Sequence, residues 1–264
     1  NNPKIRFWSA LLVVIVLGVM GLSASYDAEA AQVEEIEFPV QVNLSLQSSL
    51  PLLGNIQAIA AGGGHTCALT TGGGVKCWGW NIYGQLGDGT TTDRLTPVDV
   101  SGLTRGVQAI AAGGEHTCAL TTGGGVKCWG NNLYGQLGGG TTTGRWTPVD
   151  VSGLSSGVQA IAAGGEHTCA LTTGGGVMCW GWNIYGQLGD GTTTDRWTPV
   201  DVSGLTSGVQ AIAAGGSHNC ALTTAGGVKC WGWNGLDQLG VSTATYGWTP
   251  VDVSGLTSGV QAIA

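Results

Sequence analysis

Residues 65–81, HTCALTTGGGVKCWGWN, decide the fold. Two short runs of strand-forming residues flank Gly72, Gly73 and Gly74, which is the pattern of a β-hairpin. Cys67 and Cys77 are placed symmetrically about the tip, and Leu69 and Val75 share that register. Strand side chains alternate with a period of two, so both pairs should stand opposite one another on one face. The three glycines are expected to supply the positive φ angles of a three-residue loop that ends in a bulge.

The same text returns at His116, His167 and His218, a constant spacing of 51 residues. Each unit holds four strand-like runs, in the first at 56–61, 66–71, 75–80 and 97–100. Gly62 to Gly64, Gly72 to Gly74 and a long 81–96 connection carrying YGQLGDGTTTD separate them. No segment sustains a helical period. Four short strands per unit of about 50 residues describe a propeller blade, so the chain is read as all-β. The units run 56–106, 107–157, 158–208 and 209–259, and 260–264 opens a fifth. An unpaired strand edge is a liability. The expectation is therefore a fragment of a longer reading frame, with a closed four-bladed ring as the alternative.

Charged residues make up 9% of the chain, 49 residues are glycine, and the formal charge is −7. The glycines fall at fixed offsets among Val, Trp, Cys and Leu, which means turns between strands. No Lys/Arg cluster exists to neutralise phosphates, which argues against a nucleic-acid partner, and none is expected.

The N-terminus is of another kind. Lys4 and Arg6 precede an apolar run over 7–22, shorter than the ~20 residues a membrane span needs. Ala28-Glu29-Ala30 has the small-x-small pattern of a signal-peptidase site, which predicts a signal peptide over 1–30 and cleavage between Ala30 and Ala31. An uncleaved anchor would be the only route to a membrane. Residues 31–55 form a lead-in. Within it 39–46 alternates apolar and polar residues, and its Phe-Pro-Val-Gln-Val resembles the Thr-Pro-Val-Asp-Val late in each unit. A displaced strand that completes a blade is expected there.

Eight cysteines form one pair per unit: Cys67 and Cys77, Cys118 and Cys128, Cys169 and Cys179, Cys220 and Cys230. An even count at regular spacing in an exported chain favours disulfides. A zinc site would use clustered spacing, which is absent here, and free buried thiols are the other alternative. His65, His116, His167 and His218 repeat at one place in each blade, between a glycine turn and a strand. They are read as structural, with ring nitrogens satisfying backbone groups. Catalysis needs different residue types converging at one point, whereas a repeat delivers one residue at several points. No catalytic constellation, metal site or cofactor is therefore expected.

Three tryptophan columns remain. Trp78 and its counterparts should pack between blades. Trp80, Trp182 and Trp233 form a second column in which Asn131 stands once, and Trp146, Trp197 and Trp248 form a third in which Leu95 stands once. Columns that tolerate such changes are read as an exposed candidate rim for binding a partner, with ordinary inter-blade packing as the alternative. The run 88–93 is a weak calcium cradle at best, since Gly139 and Gly144 replace its acids in the second unit. A hydroxyl-rich turn is the expectation there.

The motif GGxHTCALTxxGGVxCWGxNxxGQLGxGT resembles the regulator of chromosome condensation repeat over about 56–264, with His65, Leu69, Val75, Trp78, Gly79, Asn81 and Gly84-Gln85-Leu86-Gly87 at the family's positions. The resemblance implies a β-propeller, commonly of seven blades, of which four four-stranded blades and the start of a fifth are present. The paired cysteines look like the exported bacterial branch. The founding branch is an exchange factor for a small nuclear GTPase, and a secreted bacterial relative inhibits β-lactamases through one propeller face. The reading is an exported, non-catalytic scaffold, secreted or at the cell surface, that binds an unidentified protein or glycan. Alternatives are a carbohydrate-binding adhesin stacking sugars on the rim tryptophans, an exchange-factor-like regulator, and an enzyme whose site lies in missing blades.

Overall fold

The computed structural model describes residues 55–242 and 245–264. The expected signal peptide, its cleavage point and the strand at 39–46 lie outside them. The described residues fold as four antiparallel sheets of four strands, and no helix is present among them. The first sheet runs β1 (Ile56–Ala61), β2 (His65–Thr70), β3 (Val75–Gly79) and β4 (Arg94–Asp99). The second holds β5 (Val107–Ala112), β6 (His116–Thr121), β7 (Val126–Gly130) and β8 (Arg145–Asp150). The third holds β9 (Val158–Ala163), β10 (His167–Thr172), β11 (Val177–Gly181) and β12 (Arg196–Asp201). The fourth holds β13 (Val209–Ala214), β14 (His218–Thr223), β15 (Val228–Trp233) and β16 (Tyr246–Asp252). Strand order within every sheet follows sequence order, as in a propeller blade.

The opening hairpin has the predicted register: Cys67 faces Cys77 and Leu69 faces Val75. All four cysteine pairs are joined as disulfides, each closing a sequence separation of 10. The tip differs from expectation by one residue. Gly73 N–H donates to the Thr70 carbonyl, Thr70 N–H donates to the Gly74 carbonyl, and only Gly73 among the three glycines has positive φ, at 75°. The loop is thus 71–73, and the other two glycines have separate reasons. A Cβ on Gly74 would lie 2.6 Å from the Thr104 carbonyl oxygen, whereas one on Gly72 would meet nothing closer than 3.9 Å. Ala225 occupies the Gly72 position in the fourth blade, where the backbone leaves room for it.

The outer strand also starts earlier than 97. It begins at Arg94, because Gly79 pairs with Arg94 across a bulge. Residues 260–264 repeat the first-strand sequence but form no strand, although Val260 N–H donates to the Gly226 carbonyl as Val107 N–H does to that of Gly73.

Blades pack face to face, so the middle strands are buried on both sides and do not alternate between core and solvent. Every residue of β6 from His116 to Leu120 is buried. One core cluster joins Leu69, Leu86 and Val100 of the first blade to Ala119 and Trp129 of the second. The next joins the second blade to Ala170 and Trp180, and the third joins the third blade to Ala221 and Trp231. Trp129, Trp180 and Trp231 are 0% exposed, as expected for rings between blades. Trp78, at the same place in the first blade, is half-buried. Among the described residues no blade covers it.

Candidate binding face

At one end of each sheet lie the glycine turn after the first strand and the long loop after the third, tied together where Trp80 N–H donates to the Gly64 carbonyl. Around the axis these turns bond one another, with Gly63 N–H donating to the Gly113 carbonyl and Gly165 N–H to that of Gly216. They enclose a mouth of about 260 Å³ lined only by alanine and glycine, from Ala61 to Gly216. Such a lining offers backbone groups and no side-chain acid, base or nucleophile. A Cβ on Gly62 would come within 2.5 Å of the Gly113 carbonyl oxygen and of the His65 ring, so the close approach of blades requires glycine there.

The histidines are structural, but their partners are side chains of the next blade rather than the expected backbone groups. His65 Nε2 lies 2.7 Å from Thr117 Oγ1, and His116 Nε2 lies 2.9 Å from Thr168 Oγ1. Thr117 Oγ1–H donates to the Gln85 carbonyl at 2.8 Å, so it accepts from His65, which places the proton on Nε2. The Trp129 indole N–H donates to that same carbonyl at 2.9 Å. In the fourth blade Asn219 stands in for the threonine. Its Oδ1 faces His167 Nε2 at 2.9 Å and its Nδ2 donates to the Gln187 carbonyl at 2.7 Å, so one amide covers both roles of the hydroxyl. Nδ1 of His65, His116 and His167 has no hydrogen-bond partner among the described residues. Burial holds these rings far below the usual imidazole range, to about 4 for His65 and His167. His116 falls to about 3, through burial and then the neighbouring His167 and His65. They are neutral at physiological pH, and no group of three or more His, Cys, Asp or Glu among the described residues is arranged to hold a metal.

The long loop is built around Asn81. Its Oδ1 accepts from Leu86 N–H at 2.9 Å, and its Nδ2 donates to the carbonyls of Thr90 and Thr92 at 3.1 and 3.0 Å. Asn132 and Asn183 repeat the arrangement. Asp88 and Arg94 close the loop with an ion pair at 2.7 Å. Burial raises the Asp88 pKa, but hydrogen bonds from Thr90 and Arg94 outweigh it and hold the carboxyl below its ordinary value. The 88–93 run is thus a self-satisfied turn.

The loops display aromatic and apolar side chains. Trp80 meets Tyr83 edge-on at 5.5 Å. From the second to the fourth blade the rings are continuous: Tyr134 to Trp182 at 5.5 Å, Trp182 to Tyr185 at 5.2 Å, and Tyr185 to Trp233 at 6.1 Å. Tyr185 also stacks on Tyr246 at 5.6 Å. Asn131 in the tryptophan column interrupts the row. Ile82, Leu133, Ile184 and Leu236 are exposed beside it. Glu115 and Glu166 stand where the first blade has Gly64. Burial and then the Glu115 charge push Glu166 up to about 7, and the Gln136 amide donates to it.

The two expected tryptophan columns separate. Trp80, Trp182 and Trp233 join the tyrosines in this aromatic row. Trp146, Trp197 and Trp248 sit on the outermost strands, 54%, 51% and 50% exposed. There they clamp the preceding loop: Gly89 N–H donates to the Trp146 carbonyl, and a Cβ on Gly84 would lie 2.7 Å from Trp146 Cα. Sequence reasoning missed the tyrosines. Their signal is the Tyr-Gly-Gln-Leu-Gly segment that stands in three of the four units within the long connection.

Comparison with known proteins places the chain among propellers of this construction. It is 37% identical to the ultraviolet-B receptor UVR8 of Arabidopsis thaliana over 201 residues, covering 75% of this chain and 46% of that protein. It is 36% identical to the human protein named probable E3 ubiquitin-protein ligase HERC4 over 205 residues, covering 76% of this chain and 19% of the relative. The crystal structure of human WBSCR16 superposes with a TM-score of 0.68 at 31% identity, covering 75% of this chain and 53% of that one. The chain thus spans about half or less of the length of these relatives. Asparagine-centred loops recur in all four blades, histidine links and buried tryptophans join each blade to the next, and the RCC1-like domain matches residues 17–264: the chain belongs to the RCC1-like family.

Proposed function

We infer that the protein is a non-catalytic binding propeller that presents the aromatic face to a partner protein. One observation carries the reading. Differences among the four repeats concentrate in the loops at that end, at 64, 80–84 and 88–93 and their counterparts, while the inter-blade residues barely change. A rigid frame with a varied, apolar and aromatic rim is what recognition surfaces need. Against catalysis stand the alanine–glycine axial mouth and the absence of a unique polar cluster among the described residues. The relative named a ligase shares only 19% of its length with this chain, so its activity does not transfer.

The disulfides support export to an oxidising compartment, secreted or at the cell surface. Affinity capture from the medium with the oxidised protein tests the reading. A partner retained by the wild type and lost with Trp182→Ala and Ile184→Asp supports it. Retention by both variants would move the interface elsewhere. Binding of glycans in place of protein, abolished by Trp197→Ala, would favour the adhesin reading instead.

A further inference from the structure

The first and third blades hold a buried carboxylate that the second lacks. Asp88 Oδ1 accepts from Thr90 N–H at 2.9 Å and Thr90 Oγ1–H at 2.7 Å, and its Oδ2 accepts from Arg94 Nε–H at 2.8 Å. Asp190 receives the same bonds from Thr192 and Arg196. In the second blade Gly139 takes the aspartate's place, while Thr141, Arg145 and Asn132 keep the positions of Thr90, Arg94 and Asn81. A cleft of about 100 Å³ opens among Asn132, Gly139, Thr141 and Arg145. A Cβ on Gly139 would meet nothing closer than the Asp150 carbonyl oxygen at 3.9 Å, so the space of the missing side chain is open. Gly144 removes the second acid of the loop, and the Arg145 guanidinium makes no ion pair among the described residues, unlike Arg94 and Arg196.

The fourth blade sharpens the contrast. There Val241 and Gly247 replace the acid and the arginine together, and Val241 packs against the core. The second blade alone deletes the acid and keeps its donors. Asp150, which also lines the cleft, is bonded to Lys127 at 2.7 Å. The corresponding Asp99 coexists with the buried Asp88 in the first blade, so it does not bar an anion.

We propose that this cleft is a binding site for a single carboxylate group. The side chain that distinguishes aspartate from glycine is a carboxymethyl group, so acetate is the missing part itself. Its oxygens would take the paired donors of the Arg145 guanidinium together with Thr141 N–H and Oγ1–H, a planar arrangement that suits a carboxylate better than a spherical anion.

The test is an acetate titration of the full chain at constant ionic strength, with chloride as the balancing salt, followed by the NMR signals of the Thr141 amide and the Arg145 Nε–H. The expected result is a saturating shift of both. It disappears in Gly139→Asp, whose own carboxylate fills the cleft, and the affinity falls at least tenfold in Arg145→Gln. A shift that grows linearly without saturation, or one unchanged in Arg145→Gln, overturns the proposal even if the Gly139 variant does not fold. An N-acetyl-aspartyl amide run alongside separates the sources of the group. Tighter binding of the amide assigns the cleft to a partner's aspartate, and tighter binding of acetate assigns it to a free small acid.

Discussion

The imidazole of His116 is enclosed by its own blade, the Gly113 turn and Thr168 of the next blade. Below pH 6.5 an unfolded chain protonates such a ring, while the folded chain resists until about 4 for His65 and His167 and about 3 for His116. The unfolded state therefore binds more protons in that window, so this stability is complete above pH 6.5 and is lost as pH falls. Glu166 acts with the opposite sign. Raised to about 7, it gives the folded chain an extra proton between about 4.5 and 7. Three histidines outweigh one carboxyl, so the urea midpoint should be lower at pH 4.5 than at pH 6.5. The His116 ring resonances should not titrate between pH 8 and 5, and a normal imidazole titration would refute the burial argument. The glycines give a second test at this scale. Gly72→Ala should leave stability unchanged or raise it by up to about 1 kcal/mol, because the site is open and the unfolded chain loses freedom. In Gly113→Ala the new Cβ would meet the His116 ring at 2.3 Å and the Gly164 carbonyl oxygen at 2.6 Å, so thermal denaturation should show a clear loss.

Each hairpin is closed twice, by its turn and by its disulfide. Replacing Cys118 and Cys128 together with alanine should cost about 2–3 kcal/mol in urea unfolding, the value for a short closed loop. The long loops depend on one amide. Asn132→Ala removes the acceptor of Leu137 N–H and the donor to the Thr141 and Thr143 carbonyls, all in a buried setting. The expected loss is about 1–3 kcal/mol. Hydrogen exchange should accelerate across 133–144 and leave β6 and β7 protected.

Blade contacts make identical residues unequal across the whole molecule. Trp180 is wholly enclosed between the second and third blades, with its indole N–H donating to the Gln136 carbonyl at 2.8 Å. Trp180→Ala should cost about 3–5 kcal/mol, the usual loss for a large buried ring. Trp78→Ala, at the same repeat position but half-buried, should cost clearly less. Parallel urea titrations of the two variants check this, and equal losses would contradict the role of inter-blade packing. Because each blade touches only its neighbours, the loss at Trp180 should weaken the second and third blades before the first.

Four-stranded units, hairpin register and cysteine pairing were legible from residues 65–81 and their repetition, because alternation and turn chemistry act over a few residues. Local sequence also placed Trp129, Trp180 and Trp231 between blades. It misjudged what depends on residues far apart in the chain. His65 bonds to Thr117, 52 residues on, and no pattern within one repeat could distinguish that from a backbone contact. Tyr134 of the second blade meets Trp182 of the third, and Tyr185 meets Trp233 of the fourth, so the aromatic row emerges only when neighbouring blades are packed. The open cleft at Gly139 exists because the second blade keeps Thr141 and Arg145 after their acid is gone. The sequence by itself determined the repeating unit, since the forces that form a hairpin are local. Tertiary structure decided which side chains of adjacent units meet, because burial, hydrogen-bond pairing and an open site are properties of surfaces brought together by packing.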